Sequence, residues 1–177
     1  QVAEELKQEL PRVRAFATLS PVPGFRAWLE TVRDRLAAGT AGEARLALLS
    51  RLDGPAWHTA DDEPLRRLLT GLCAYYLLHA KQGRDPLDPV SRFHLGNGAS
   101  LERLNWMGDS SAQGIKRSAG MMVNYVYRLD HVERNHERFV NEHLVVAATN
   151  RRAARHRDRL RRHGQRGTQP TAVRSPG

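Results

Sequence analysis

The chain has 177 residues, 40% of them hydrophobic, and a formal charge of +9 at pH 7. This length and apolar content suit a single compact domain with its own core. One cysteine, Cys73, excludes an internal disulfide and fits a reducing compartment, and the sequence lacks the run of about 18 apolar residues that would predict a transmembrane helix.

An amphipathic helix is predicted over residues 2–10, ending before Pro11. It has no N-cap residue ahead of it, and residue 1 is a glutamine, so we expect the chain to begin inside a longer protein. Residues 13–19 then alternate as a short strand does and deliver Ser20 to a loop stiffened by two prolines. Such a loop can hold a reacting side chain, but a capping or turn serine before a proline has the same signature.

Three helices with apolar faces follow. One starts at Phe25 and stops at Gly39, a shorter one spans 44–52, and a third begins at the acidic residues near Asp61. Leucines spaced i, i+3, i+4 and i+7 along the third helix make it the clearest helix of the chain. After it, residues 81–89 contain glycine and prolines and predict a loop.

The stretch 93–127 concentrates polar side chains that a plain fold does not require. His94 is followed by Gly96-Asn97-Gly98, which predicts a tight turn with positive φ that presents the imidazole at the mouth of a loop. A turn with a merely structural histidine fits the same pattern. Further candidate ligand contacts in this stretch are Asn105, Asp109, Tyr125 and Tyr127.

The second half of the chain predicts three more elements. Residues 100–106 alternate as a strand, residues 110–123 predict a helix, and residues 131–138 predict a solvated helical face. The histidines of the chain do not follow the i, i+4 spacing of a helical zinc pair, so we expect no metal site. The histidines considered for this role are His58, His79, His131, His136 and His143.

The positive charge is concentrated in the last segment. Residues 150–177 hold nine arginines against one acid, which gives that segment +8 of the total +9 and leaves the rest of the chain near +1. Few residues there can bury apolar area, so we expect a disordered basic tail. Arginines bind nucleic acids nonspecifically through phosphates, and we predict no specific nucleic-acid partner.

Two ordered stretches of the sequence carry a resemblance. One comprises Pro89-Val90-Ser91-Arg92-Phe93-His94-Leu95-Gly96-Asn97-Gly98-Ala99, with Arg103-Leu104-Asn105-Trp106-Met107 and the residues from Ser118 to Tyr125 after it. The other is Leu19-Ser20-Pro21-Val22-Pro23-Gly24-Phe25, far upstream. Both resemble the malonyl-CoA decarboxylase family, and the resemblance fades after Arg128.

The resemblance implies a carboxy-lyase that converts malonyl-CoA into acetyl-CoA and CO2 without a metal or an organic cofactor. It implies Ser20 as proton acceptor and His94 as proton donor, so these are the expected catalytic residues. The expected substrate-binding residues are Ser20, His94, Asn97 and Tyr127. The chemistry is consistent with these roles, because decarboxylation leaves an enolate that a histidine can protonate and a hydroxyl can orient.

The family's catalytic domain is similar to the Gcn5-related acetyltransferase fold, which implies an α+β class with a mixed sheet flanked by helices. Residues 1–149 are then the C-terminal part of that catalytic domain, truncated at the N-terminus, and residues 150–177 are the basic tail. The CoA-pyrophosphate loop and the helical domain that precede this part in the family have no match here, which leaves open whether this chain acts alone.

Two other classes of function stay open at this point. An acyl-CoA-dependent acetyltransferase-like enzyme would share the fold and would transfer an acyl group to an amine without releasing CO2. A basic nucleic-acid-binding protein would bind through the tail, with a steep dependence on salt. The arginine-rich and alanine-rich composition predicts a bacterial cytoplasmic protein with no membrane partner, and a homo-oligomer is left open.

Overall fold

The computed structural model describes residues 12–39 and 42–148. Two predicted segments lie outside these residues: the helix over 2–10 and the tail over 150–177. The predicted boundary between domain and tail, after residue 149, lies outside them as well. In chain order, the elements of the described part are β1 (Ala15–Pro21), α1 (Phe25–Ala37), α2 (Glu43–Ser50), a 3-10 turn (Arg51–Asp53), α3 (Glu63–His79), β2 (Lys81–Gln82), β3 (Asp85–Pro86), α4 (Pro89–Gly96), β4 (Ser100–Asn105), α5 (Ala112–Ser118), β5 (Met122–Arg128) and α6 (Val132–Glu142).

The main sheet has three antiparallel strands in the order β1-β5-β4, and β2 and β3 form a separate two-stranded hairpin. β1 runs along β5 with Ser20 opposite Val123 and Thr18 opposite Tyr125. β4 pairs with the other edge of β5, with an irregularity of register near Arg103. Because directly opposed residues project to the same face, this register decides which side chains meet above the sheet.

The predicted α+β class is confirmed, because helices accompany an antiparallel sheet. The prediction of a mixed sheet holds only in a limited sense. The named strands of the described residues pair antiparallel, and parallel pairing is limited there to an isolated bridge between Leu101 and Ala147. At this bridge the Leu101 N–H donates to the Val146 carbonyl at 2.9 Å. The likeness to the acetyltransferase fold stays a prediction.

The core combines buried residues of the main sheet with residues of several helices, most of them from α1 and α3. Its aromatic centre joins Phe25 and Trp28 of α1 to Tyr76 of α3, whose ring centroid lies 5.8 and 5.2 Å from theirs. These residues stand on apolar stripes of helical spacing, so each helix buries one face. Phe25 is fully buried, which stabilises the fold by roughly 1.5–3 kcal/mol relative to an exposed side chain.

The three helices predicted between residues 25 and 79 are confirmed, with bounds shifted by a few residues. α3 begins where the acidic residues predicted it: the Asp62 side chain accepts a hydrogen bond from the Leu65 N–H at 3.2 Å, and a proline stands in the first turn. The strand predicted over 100–106 and the helix predicted from residue 131 are confirmed as β4 and α6.

The helix predicted over 110–123 is too long. α5 ends at Ser118, because Ala119 and Gly120 both adopt the left-handed conformation, with φ of 49° and 73°. The run that begins at Met122 alternates between faces and contains valines and tyrosines, so it extends as the central strand β5. The loop predicted over 81–89 also ends early, because Pro89 is already the first residue of α4.

The longest helix of the described residues is α3, with 17 residues. None of the helices in this part of the chain combines the length and the apolar content needed to cross a lipid bilayer.

Candidate active site

The structure brings Ser20 and His94 into contact, although 74 residues separate them in the sequence. The Oγ atom of Ser20 lies 3.0 Å from Nε2 of His94. Both side chains are buried, with exposed fractions of 6% and 9%. A serine hydroxyl and an imidazole at this distance can share a proton, which is the first requirement for joint acid–base chemistry.

Ser20 is held by a strand and not, as predicted, by a loop after one. It is the last buried residue of β1, and its backbone is fixed by pairing opposite Val123 of the central strand β5. The prediction ended the strand too early because Pro21 looked like a strand breaker. β1 lies at an edge of the sheet in the described residues, and a proline is tolerated at the end of such a strand.

His94 also lies in a different setting from the predicted one, since it belongs to helix α4 and not to the mouth of a loop. The helix begins after Asp88, whose Oδ1 accepts a hydrogen bond from the Ser91 N–H at 2.8 Å, and Pro89 occupies its first turn. The predicted turn after the histidine is present, but it ends the helix: Gly98 has a φ of 81°.

Helix α6 fixes this turn from outside. A methyl group on Gly98 would collide with the backbone carbonyl of Val132, so only glycine fits there. The buried Asn135 donates from Nδ2 to the Gly98 carbonyl at 3.1 Å, and the His136 ring is hydrogen-bonded to the Gly96 carbonyl. The C-terminal end of α4, the helix that carries His94, is therefore held by two side chains of α6 and by the close approach of the α6 backbone to Gly98.

Two tyrosines of β5 enclose the imidazole of His94. The hydroxyl of Tyr127 lies 2.7 Å from Nδ1, so both ring nitrogens have a partner. The ring of Tyr125 stacks on the imidazole, with centroids 4.4 Å apart and planes inclined by 20°. Because the tyrosines are two residues apart on a strand, both face the helix, and the Tyr-x-Tyr pattern supplies a hydrogen-bond partner and a stacking partner.

Thr18 is a site residue that the sequence interpretation missed. Its Oγ1 lies 3.1 Å from the Oγ of Ser20. The four side chains form a line of hydrogen bonds, which we call the hydroxyl–imidazole row: Thr18, Ser20, His94 and Tyr127. The strand periodicity could have revealed it, because a residue two positions before Ser20 lies on the same face.

Burial sets the protonation states in the row. It lowers the pKa of His94 below its ordinary value of 6.5, and it raises the pKa of Tyr127 and of Tyr125. Near neutral pH the free chain therefore holds a neutral imidazole between a serine hydroxyl and a protonated phenol. A neutral imidazole has one donor and one acceptor nitrogen, so one of its two neighbours donates to it and the other accepts.

Asn97, predicted as a substrate-binding residue, is placed at the C-terminal end of α4. Its Nδ2 donates to the Phe93 carbonyl at 2.8 Å, and the side chain is exposed. Two other polar residues of the same stretch lie apart from the row. Asn105 is bonded to Asn124 on the opposite face of the sheet at 2.9 Å, and Asp109 accepts from the Ser111 N–H at 3.0 Å.

Cys73 packs in the core, where burial raises the pKa of its thiol and makes it a poor nucleophile. Within residues 12–39 and 42–148, histidine, cysteine, aspartate and glutamate side chains form no group of three that could hold a metal ion. The chemistry that these described side chains do supply is proton transfer by an imidazole, combined with hydroxyl groups that can donate to a developing oxyanion.

A family model described as the malonyl-CoA decarboxylase C-terminal domain matches residues 1–166 of the chain. Among curated proteins, the chain is similar to mitochondrial malonyl-CoA decarboxylases of Anser anser anser, at 35% identity over 168 residues, and of Rattus norvegicus, at 36% over 170 residues. Each match covers 84% of this chain but only 33% and 34% of the relative. The chain thus spans about a third of the length of these relatives.

Solved structures give the same picture. The malonyl-CoA decarboxylase of Rhodopseudomonas palustris matches 85% of this chain with a TM-score of 0.74 and 45% identity. That of Agrobacterium vitis matches 84% with a TM-score of 0.70 and 40% identity. The matched parts are 35% and 37% of those chains.

Proposed function

This chain belongs to the malonyl-CoA decarboxylase family, and we propose that Ser20 and His94 are its catalytic pair for converting malonyl-CoA into acetyl-CoA and CO2. The observation that carries the proposal is the buried hydrogen bond of 3.0 Å between Ser20 Oγ and His94 Nε2. The reaction needs a proton donor for carbon and a hydrogen-bond donor for an oxyanion, and these two residue types supply both.

In the proposed reaction, the bond between the carboxylate carbon and the α-carbon of malonyl-CoA breaks and CO2 leaves. The electron pair stays on the α-carbon and spreads to the thioester oxygen as an enolate. His94, which is neutral in the free chain near pH 7, first takes up a proton from solvent. The resulting imidazolium gives that proton to the α-carbon, which forms acetyl-CoA and leaves the imidazole neutral again, so one proton is consumed for each CO2 released.

The lowered pKa of His94 has two effects: it makes the imidazolium a stronger acid towards carbon, and it reduces the fraction of His94 that is protonated near neutral pH. Before the transfer, Ser20 accepts a hydrogen bond from Nε2–H of the imidazolium and directs its own hydroxyl proton to the substrate carboxylate or the enolate oxygen. In the transfer itself, this Nε2 proton leaves Ser20 for the α-carbon. Tyr127 accepts from the other ring nitrogen, and the ring of Tyr125 keeps the imidazole in the plane that both bonds require.

Asn97 is proposed only as a substrate contact, through the carboxamide oxygen that its bond to Phe93 leaves available. We further propose that the reaction requires no metal ion and that malonyl-CoA and acetyl-CoA are the small-molecule partners of the chain. Turnover that persists after prolonged dialysis of the protein against EDTA supports the metal-independent reaction. Loss of turnover that Mg²⁺ or Zn²⁺ restores contradicts it.

The test is to incubate the purified chain with malonyl-CoA and to measure acetyl-CoA and CO2 together. Because the chain spans about a third of its curated relatives, the same assay is run on the full-length Rhodopseudomonas palustris relative with its matching segment replaced by this chain. Turnover by the chimera alone means that this chain supplies the catalytic pair but needs the rest of the enzyme. A folded chimera that releases no CO2 overturns the proposal.

A further inference from the structure

Ser20 has two hydrogen-bond partners in the hydroxyl–imidazole row. Its Oγ lies 3.0 Å from Nε2 of His94 and 3.1 Å from Oγ1 of Thr18. A serine hydroxyl can accept two hydrogen bonds but has a single proton to donate. If Ser20 donates that proton to Thr18, it has none for a bound ligand. The direction of the Thr18–Ser20 bond therefore decides what Ser20 can offer to a substrate.

The contact between Thr18 and Ser20 does not follow from strand geometry alone. Residues two apart along a strand are separated by about 6.6 Å, so hydroxyl oxygens at 3.1 Å require side chains that lean towards each other. The Thr18 backbone is fixed opposite Tyr125, and its carbonyl accepts from Asn124 Nδ2 at 2.9 Å. A β-branched side chain has few χ1 rotamers. The hydroxyl of Thr18 is therefore held at a defined position beside Ser20.

The imidazolium form of His94 leaves two alternatives for Thr18. Both ring nitrogens then donate, and Nε2–H occupies one acceptor position of Ser20 Oγ. Thr18 can accept the Ser20 proton, which uses it up inside the row. Thr18 can instead donate to the second acceptor position, and the Ser20 proton then has to point out of the row. Donation by Thr18 is also compatible with a neutral imidazole, because Ser20 keeps an acceptor position that His94 does not use.

We propose that Thr18 is a positioning residue that donates its hydroxyl hydrogen to Ser20 Oγ and thereby directs the Ser20 proton to the substrate carboxylate or the enolate oxygen. A hydroxyl that accepts hydrogen bonds is also a stronger donor, because bonds in a chain polarise one another. Thr18 thus acts through Ser20 and does not need to touch the substrate. The direction of this bond is independent of the reaction, whereas its effect on turnover rests on the proposed function.

Two substitutions of Thr18 separate its hydroxyl from its shape. Thr18→Val removes the hydroxyl and keeps the branched side chain, whereas Thr18→Ser keeps the hydroxyl and removes a methyl group. Thr31→Val is the matched control on helix α1, outside the row, where the Thr31 hydroxyl donates to the Trp28 carbonyl at 2.8 Å. Thr18→Val and Thr31→Val therefore make the same chemical change at two bonded threonines, only one of which is proposed to act on Ser20.

The experiment follows the His94 ring by NMR titration in the full chain, with the signal assigned by its absence in His94→Asn. A Thr18 that donates makes Ser20 a weaker acceptor from Nε2–H and a stronger donor to a neutral Nε2, and both effects favour the neutral ring. Thr18→Val should then raise the pKa of His94 towards 6.5. Loss of a Thr18 that accepts should lower it. Tyr125 and Tyr127, which contact the ring, stay protonated in this range because burial raises the pKa of each.

The same variants in a Ser20→Ala background isolate the effect that passes through Ser20. The added methyl of Thr18→Val makes the surroundings of His94 less polar, which by itself lowers the pKa of the ring. Subtracting the shift seen without the Ser20 hydroxyl removes this contribution. We expect the remaining shift to be upward in Thr18→Val and close to zero in Thr18→Ser and Thr31→Val.

A remaining shift in Thr18→Val that is zero or downward overturns the proposal. If Thr18→Val does not fold, Thr18→Ala is measured by the same criterion. Failure of this variant to fold as well would mean that the Thr18 hydroxyl is required by the fold, and that outcome also overturns a positioning role.

Turnover supplies a second readout in whichever form of the protein decarboxylates malonyl-CoA. We expect Thr18→Val to lower kcat about fivefold, the size expected for one hydrogen bond between neutral groups, and Thr18→Ser to restore it. In the Ser20→Ala background Thr18→Val should have no further effect, and Thr31→Val should leave kcat unchanged. Normal kcat in folded Thr18→Val overturns the proposal. If no form of the protein turns over substrate, the proposed function fails while the NMR shift still decides the direction of the bond.

Discussion

The two faces of the three-stranded sheet share one backbone but differ in almost everything else. One face carries the hydroxyl–imidazole row, under helix α4, with Tyr125 completely buried. The other face presents Ala15, Ala17 and Leu19 to solvent, and Leu19 is 56% exposed. Strand alternation assigns each residue to its face, and it is the helix packed above one face that turns its hydroxyl groups into a protected site.

The exposed face holds the strands in register, whereas the buried face carries the side chains of the proposed chemistry. Asn124 donates from Nδ2 to the Thr18 carbonyl and accepts from Asn105, each at 2.9 Å. These bonds tie all three strands together across the solvent side. The comparison teaches that one strand can do both tasks, since Thr18 gives its backbone to the exposed face and its hydroxyl to the row. Substitutions on each face should therefore separate loss of activity from loss of stability.

The largest expected effect comes from His94→Asn, which removes the proposed proton donor of the buried face. We expect kcat for acetyl-CoA formation to fall about 10³-fold, because general acid catalysis by a positioned side chain contributes on that order. The matched control is His79→Asn at the exposed end of α3, which should leave turnover unchanged. Near-normal kcat in a folded His94→Asn protein would contradict the catalytic role.

Ser20→Ala should lower kcat by about 10²-fold, since one donor to a developing oxyanion is worth roughly that much. The double variant with His94→Asn should be little worse than His94→Asn alone, because the two groups serve one proton-transfer step. Leu19→Ser is the control: it places an extra hydroxyl one residue away, on the opposite face of the sheet, and should not affect kcat. Multiplication of the two single losses would indicate independent roles.

Tyr127→Phe should reduce kcat by about tenfold, the usual cost of losing one hydrogen bond to a charged group. The phenol oxygen stabilises the imidazolium by accepting from Nδ1, so its removal lowers the pKa of His94 further. In a plot of kcat/KM against pH, the decline at high pH should then begin at a lower pH. Tyr75→Phe, at an exposed tyrosine, provides the control, and an unshifted midpoint in Tyr127→Phe would exclude this contribution.

Asn124→Ala tests the exposed face and should act on stability instead of turnover. It removes two hydrogen bonds of the central strand, which we expect to lower the free energy of unfolding by about 1–3 kcal/mol. Urea denaturation measures this loss, with Asn141→Ala on the exposed side of α6 as control. A marked fall in kcat without a fall in stability would show that the two faces are not separable.

The smallest effect concerns pH. Burial lowers the pKa of His94 in the folded chain below 6.5, so the unfolded chain binds more protons in the interval between the two values. The contribution of His94 to the free energy of unfolding is therefore fully present above about pH 6.5. It declines as the pH falls through that interval and levels off below the folded pKa. Urea midpoints measured across the interval should show this slope, and His94→Asn should flatten it. An equal slope in the variant would assign the decline to other groups.

The proposed catalytic pair could be predicted from the sequence, but its surroundings could not. Ser20 and His94 lie in two stretches that resemble one family, and that resemblance, not the local pattern, connected them. The local pattern put Ser20 in a loop because a proline follows it, although an edge strand can end in proline. It put His94 in a loop because glycines follow it, although Asp88-Pro89 is a helix start.

The partners of the pair depend on strand register, which a single sequence does not display. Thr18 could have been inferred from its position two residues before Ser20, once that residue was placed in a strand. The contact of His94 with Tyr127 and Tyr125 requires β5 to lie between β1 and β4, and long-range strand order of this kind is set by tertiary packing. The prediction of a helix over 110–123 was wrong for that reason, because it assigned the first residues of β5 to a helix.

The pairing of β1 with β5 has a consequence for how the protein comes into being. The bond between Asn124 and Thr18 joins residues 106 positions apart, and contacts of such separation form late because a long loop must close first. During synthesis the serine therefore leaves the ribosome long before the strand that will align it. Ser20 and His94 come together only once this long loop has closed, so a chain that stalls or misfolds earlier carries both residues without the proximity that the proposed reaction needs.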